Sequence, residues 1–324
     1  MRQVRFAAAL IAALFVSAGP VGAQTTIVKD VRTAIQCTAW PCSPVQDFSA
    51  GEAILKEYRA ANGTTSAALE AMSWLGRGAL AAKQFDKASR YAADTYDLAV
   101  EAAKSRSIAQ DLSLENALGA AIEVQAQARA ARGQLSEAVY FLQRELETYG
   151  DTPLHKRIQK NINLLSLEGQ PAPALQAADA LGRPVPGFDD LKGKVVVLFF
   201  WAHWCPDCKA QGPALSTLLD RYREDGLTLV APTQLYGYTV RRKAAGPEEE
   251  LRYIEETREA SYPFLRDAAA PVNQVNHERY GVSTTPTMVI VDRGGIVRTY
   301  HPGNMTMEEL EAAVKPLLAA GRTN

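Results

Sequence analysis

Val195–Lys209 reads VVVLFFWAHWCPDCK. Its first six residues form an unbroken apolar run rich in β-branched and aromatic side chains, the pattern of a central strand buried on both faces. The run enters a Trp-Cys-Pro-Asp-Cys turn, and Gly212–Arg223 beyond it reads as helix. Two cysteines separated by two residues, where a buried strand hands over to a helix, are placed for redox chemistry. Cys205 would sit at the helix N-terminus, where unpaired backbone N–H groups and the positive end of the helix dipole favour an anion. Thiolate is the nucleophile of disulfide exchange, so this position activates the sulfur.

Outward from this stretch the texture is alternating. Leu227–Ala231 is a second buried strand and Glu248–Glu259 a charged, exposed helix. Thr287–Val291 and Ile296–Tyr300 flank Asp292-Arg293-Gly294-Gly295, which reads as a β-hairpin. Thr306-Met307-Glu308-Glu309 opens the last helix as a capping box. The order β-α-β-α-β-β-α is that of a thioredoxin fold. Upstream, Leu167-Glu168-Gly169-Gln170-Pro171-Ala172-Pro173 ends a long helical region and marks a domain boundary.

That region, from about Ser49 to Leu167, has apolar or small residues at three- and four-residue spacing. Examples are Phe85, Ala88, Ala92, Thr95, Ala99 and Leu135, Ala138, Val139, Leu142, Leu146. Asn62-Gly63 is a stop signal, and Asp151-Thr152-Pro153 a helix start. Trp74-Leu75-Gly76 with Phe85 and Ala88 resembles a tetratricopeptide repeat, as does Gly133, Leu135 and Ala138 closed by Tyr149-Gly150. The expected fold class is α + α/β: an all-α helical-hairpin (TPR-like) domain followed by a thioredoxin-fold domain. A repeat array would offer a concave surface to a peptide or protein partner.

The chain has 324 residues and a formal net charge of −1, with 47% hydrophobic and 22% charged residues. Its length suits two domains. Near-neutral charge gives no electrostatic reason to expect nucleic acid as a partner. Arg2 and Arg5 precede the apolar stretch Phe6–Val16 and the small residues up to Ala23, the pattern of a secretory signal peptide cleaved after Ala23. The expected organisation is leader 1–23, an irregular segment 24–50, helical domain 51–167 and redox domain 168–322. An exported protein meets an oxidising environment, in which the close pairs Cys37/Cys42 and Cys205/Cys208 can form bridges. Neighbour pairing is the least strained connectivity open to four cysteines. Cys37/Cys42 then reads as a structural staple.

Phe200-Trp201-Ala202-His203-Trp204-Cys205-Pro206-Asp207-Cys208 resembles the active-site segment of thioredoxin-like proteins. Gly169-Gln170-Pro171-Ala172-Pro173, Leu191-Lys192-Gly193-Lys194 and Tyr280–Thr287 narrow the resemblance to the TlpA/ResA-type redoxins of the AhpC/TSA superfamily. The resemblance covers roughly 168–320. It implies an exported thiol-disulfide oxidoreductase, reduction favoured, with no bound cofactor and no metal. Its partners would be a disulfide-containing protein and a thiol electron donor. Cys205 is the expected nucleophile and the more exposed sulfur; Cys208 is the resolving thiol. The resemblance makes Thr285–Pro286 a cis bond facing the sulfurs, leaving the Thr285 backbone free to pair with a substrate strand. Trp204 is expected to cover one side of the sulfurs. Pro206 and Asp207 are expected beside the substrate, with the Asp207 charge disfavouring thiolate and so strengthening the pair as a reductant. His203 reads as a neutral residue on the rim.

Two positions depart from the relatives. Phe199 stands where thioredoxins carry a buried acid, and Gln211 where many ResA-type reductases carry glutamate. Proton transfer then falls to water or to another acid such as Glu224 or Asp267. The rival reading is an interaction or scaffold protein, with the thioredoxin fold as a docking module.

Overall fold

The computed structural model describes residues 21–39, 42–187 and 189–320. Residues 1–20, which hold most of the expected leader, lie outside them, as do Trp40 and Pro41 of the Cys37–Cys42 loop.

Among the described residues, seven α-helices come first: α1 (Val21–Ala34), α2 (Ser49–Asn62), α3 (Ser66–Ala81), α4 (Phe85–Ala103), α5 (Leu112–Ala131), α6 (Leu135–Tyr149) and α7 (His155–Ser166). α1 corrects the expectation of an irregular segment at 24–50. Ile27, Val31 and Ile35 recur every four residues and are buried against α2 and α3. The Cys37 and Cys42 sulfurs are bonded, with the Cα atoms 5.0 Å apart. Thr65 caps α3 by accepting the Ala68 N–H at 3.2 Å, and Asp111 caps α5 by accepting that of Leu114 at 3.0 Å.

The α3–α4 and α5–α6 hairpins share one turn geometry. Lys83 (φ 60) and Gly133 (φ 84) occupy the same place in each. The α4 stripe Ala88, Ala92, Thr95, Ala99 is buried as its spacing requires. The α6 stripe is rotated from expectation. Leu135 is exposed at the helix start and Val139 only half-buried, whereas Glu145 and Tyr149 turn inward. Glu145 can face in because the Tyr96 hydroxyl donates to both its oxygens, at 3.0 and 3.1 Å.

The second half is a six-stranded sheet of β1 (Asp179–Gly182), β2 (Val195–Phe200), β3 (Leu227–Val230), β4 (Ala269–Val272), β5 (Thr287–Val291) and β6 (Val297–Pro302). The order is β1-β4-β3-β2-β5-β6, parallel between β2, β3 and β4 and antiparallel elsewhere. All six β2 residues are buried. Val195, Val197 and Phe199 face α8 (Pro206–Tyr222), α9 (Pro247–Ser261) and α11 (Met307–Ala319). Val196, Leu198 and Phe200 face Leu167, Tyr280 and Tyr300 beside α10 (Gln274–Arg279).

The boundary stretch is not a free tether. Gly169 N–H donates to the Val297 carbonyl at 2.8 Å, Val297 N–H to Gln170 at 2.9 Å, and Ala172 N–H to Gly295 at 2.9 Å, so it pairs along the β5–β6 hairpin. α7 packs against α10 and β6, bringing the helical half over the C-terminal end of β2.

Candidate active site

The redox turn grows out of β2. Trp201 is fully buried; its indole N–H donates to the Ala231 carbonyl at 3.1 Å, and the Thr233 hydroxyl donates to the Trp201 carbonyl at 2.8 Å. This ties the turn to the chain leaving β3. Cys205 is the N-cap of α8: its Sγ accepts the Cys208 N–H at 3.0 Å, and Pro206 fills the first helical turn, where its missing N–H costs nothing. The two sulfurs are bonded, with the Cα atoms 5.3 Å apart. Cys205 is 2% exposed and Cys208 fully buried. Cys205 is thus the more exposed of the two, as expected, though by a small margin, because Trp204, Tyr262 and the Thr285 loop close round it.

Thr285–Pro286 is cis, and the Thr285 carbonyl oxygen lies 3.5 Å from Cys205 Sγ. Ser283 and Thr284 are exposed beside it. Trp204 is 45% exposed and stands edge-on to Tyr236, 5.5 Å between ring centroids, on the cleft beside Cys205. Pro206 and Asp207 line the same cleft.

His203 is not on the rim. It is buried among Tyr236, Tyr238 and Tyr253, and its Nε2 is 3.2 Å from Glu250 Oε1. Burial pushes its pKa below the usual value, against the opposing pull of Glu250. The imidazole is therefore the neutral ring expected, but inside the wall. Glu250 is the residue sequence reasoning missed. Its helix α9 was read as exposed, yet Glu250 is buried and accepts the backbone N–H of Tyr236 at 2.6 Å and of Gly237 at 2.7 Å. One carboxylate thus anchors both the redox turn and the loop that carries Tyr236. Glu248 and Glu249 share the first turn of this Pro-initiated helix with it, so no local signal distinguishes it from its neighbours.

Gln211 is buried and pairs with Met305 in both directions, its amide donating to the carbonyl at 2.9 Å and its oxygen accepting the N–H at 2.8 Å. It pins the segment before α11. Phe199 packs in the core, 6.2 Å from the Phe264 ring. Neither Glu224 nor Asp267 can replace the missing acids. Glu224 precedes β3 and Asp267 precedes β4, so both lie at the N-terminal ends of strands parallel to β2, opposite the sulfurs. Asp267 pairs there with Arg183 at 3.6 Å.

Across the cleft, of about 860 Å³, stand Trp74, Arg77, Glu123, Lys156, Arg157 and Lys160 from α3, α5 and α7. None had been singled out beyond Trp74. They are ordinary helix-face residues until the fold brings them opposite Cys205.

A model of the AhpC/TSA family matches residues 168–300. The thioredoxin-like protein YneN of Bacillus subtilis strain 168 is 33% identical over 144 residues, covering 44% of this chain and 76% of that protein. The chain belongs to the TlpA/ResA-type thioredoxin-like redoxins. This redoxin is also 26% identical over 149 residues to the thiol-disulfide oxidoreductase ResA of Bacillus thuringiensis subsp. konkukian, covering 46% of this chain and 78% of ResA. To the thiol:disulfide interchange protein HelX of Rhodobacter capsulatus it is 28% identical over 162 residues, covering 48% and 78%. A solved thiol:disulfide interchange protein of Chlorobium tepidum is 18% identical, aligning over 47% of this chain and 97% of its own, with a TM-score of 0.36. The redoxin is a thiol-disulfide oxidoreductase with a thioredoxin-like sheet and an N-terminal helical region.

Proposed function

We propose that this redoxin is exported and reduces disulfides in protein substrates through Cys205 and Cys208. The observation that carries the reading is Cys205 as N-cap of α8, bonded to Cys208 and facing cis Thr285–Pro286. The leader pattern of residues 1–23 supports export.

In the dithiol form, the Cys205 thiolate attacks one sulfur of the substrate disulfide. A Cys205–substrate bond forms, the substrate S–S bond breaks, and the departing thiolate takes a proton from water. Cys208, deprotonated in its turn, attacks Cys205 Sγ. The Cys205–Cys208 bond forms and the second substrate thiolate leaves. The substrate gains two electrons and the enzyme loses two, ending in the bonded state seen here. A donor dithiol then restores the enzyme by the same exchange. The Thr285 backbone offers pairing to an extended substrate strand, and Pro206, Asp207 and Trp204 border its path. Asp207, exposed beside the sulfurs, disfavours the thiolate form and so supports the reducing direction. The Cys37–Cys42 bridge holds the chain between α1 and α2, a structural role. Residues 51–167 form the domain that selects the partner, and residues 168–322 the redox domain.

The test is turnover of insulin disulfides with a dithiol donor. The wild type turns over, and Cys205→Ser reduces the rate to background. Activity retained in Cys205→Ser contradicts the mechanism.

A further inference from the structure

Arg77 lies in the wall opposite the sulfurs and is unlike its charged neighbours. Arg157 donates to Glu123 through Nε and Nη2, both at 2.9 Å, and Lys160 reaches the same carboxylate at 3.4 Å. Burial alone would raise the Glu123 pKa, but Arg157, Lys160 and Arg77 overcome it and hold the group down at about 2. That carboxylate is fully committed. Among the described residues, Lys156 reaches only the amide oxygen of Gln234, at 3.4 Å. Among the described residues, Arg77 has no carboxylate within ion-pair distance and no hydrogen-bond partner. Its guanidinium is stacked on Trp74, 4.6 Å from the ring centroid, while Arg32 covers the same ring at 4.1 Å. Burial, then the neighbouring Arg157 charge, pushes Arg77 down to about 10. Glu115 and Asp207 also reach the cleft, neither within ion-pair distance of a cation among the described residues.

A half-buried guanidinium seated over an indole face, with no hydrogen-bond partner among the described residues, is placed to receive a carboxylate in two-point contact. Opposite it, the exposed Ser283–Thr284 backbone beside Thr285 suits an extended chain. We propose that the cleft binds a polypeptide disulfide with an aspartate or glutamate near the reacting cysteine, and that Arg77 receives that carboxylate. The proposal rests on the reading of Cys205 as the attacking sulfur and adds the substrate class.

The experiment uses the full chain with two synthetic peptides, each closed by one disulfide, carrying glutamate or glutamine beside the cysteines. For the wild type, the acidic-to-neutral ratio of kcat/KM should be about ten, the size expected of a charge-assisted contact. Arg77→Gln should bring the ratio close to one, and Arg77→Lys, which keeps the charge and loses the fork, should fall between. Binding of the same peptides with serine in place of cysteine, followed by fluorescence anisotropy, should show the same trend without any redox step. A ratio near one in the wild type overturns the proposal, as does an unchanged ratio in Arg77→Gln. Should Arg77→Gln fail to fold, Arg77→Lys and a wild-type salt series carry the test. The ratio must fall between about 20 and about 500 mM salt, and a constant ratio overturns the proposal. Oxidised glutathione turned over as well as the acidic peptide overturns the assignment to a polypeptide. Preferential binding of the acidic serine peptide without turnover of either disulfide supports the Arg77 site and contradicts the redox reading instead.

Discussion

Cys205 is both a helix cap and a redox sulfur, and the two roles depend on each other. The Cys208 N–H that stabilises the start of α8 also donates to Sγ, so a negative charge there gains a hydrogen bond already in place. What holds this turn in position is less obvious from the chain. His203, two residues upstream, is fixed by Glu250, whose oxygens also hold the loop bearing Tyr236. Replacing Glu250 by alanine strands two backbone N–H groups and an imidazole. The unfolding free energy from urea titration should fall by about 2–5 kcal/mol, and less for Glu250→Gln. A loss under about 1 kcal/mol in Glu250→Ala would show that water satisfies these groups instead. The cysteines, Pro286 and Gln211 were recognisable by position because their local motifs are short and rigid. Glu250 was not, because its partners lie in two other segments, and a glutamate in a charged helix has no local mark of burial.

At the scale of elements, α7 crosses the chain leaving α10 in close backbone contact. Gly281 has φ +59, and a Cβ there would lie 2.2 Å from the Lys160 backbone nitrogen. Five residues later comes Pro286, so this contact joins the helical wall to the segment facing the sulfurs. Gly281→Ala should cost about 2 kcal/mol or more, from left-handed strain together with the clash against α7. Gly295 has φ +84 but open space around it, so Gly295→Ala isolates the strain alone and should cost about 1 kcal/mol. Equal costs in urea titrations would mean that α7 yields without resistance. The same contact explains what the sequence concealed at this scale. β2 announced itself as an unbroken apolar run, and the β5–β6 hairpin by its Asp-Arg-Gly-Gly turn. β4 reads Ala-Ala-Pro-Val, with little β-branched content, and β1 is only four residues long, so neither carried a strand signal. The packing of α7 over the sheet is a long-range fact with no local pattern.

The whole molecule places two neutral histidines in its interior, and this sets a pH dependence. Burial, with the Lys156 charge adding to it, pushes His277 down to about 3, and burial also lowers His203. An unfolded imidazole titrates near ~6.5, so below that pH the unfolded chain binds protons that the folded chain does not. For His277, stability is then full above about pH 6.5 and falls as the pH drops through the window toward 3, by about 1.4 kcal/mol per pH unit, and His203 acts in the same direction. In urea titrations between about pH 6.5 and 5, His277→Leu should lose one histidine's share of that slope. An unchanged slope would mean that His277 takes up its proton without unfolding. The two-part plan of the molecule was readable from the shift between helical spacing and strand–helix alternation. Its functional meaning was not, because the cleft exists only where the two parts face each other, and Arg77 sits some 130 residues from Cys205 in the chain.

The most direct measurement is the covalent complex itself. Cys208→Ala in the full chain, incubated with the acidic disulfide peptide, should accumulate a mixed disulfide whose mass equals protein plus peptide. Proteolytic mapping should place the linkage at Cys205. A linkage at Cys37 or Cys42, or no adduct under conditions where the wild type reduces the peptide, would contradict Cys205 as the attacking sulfur.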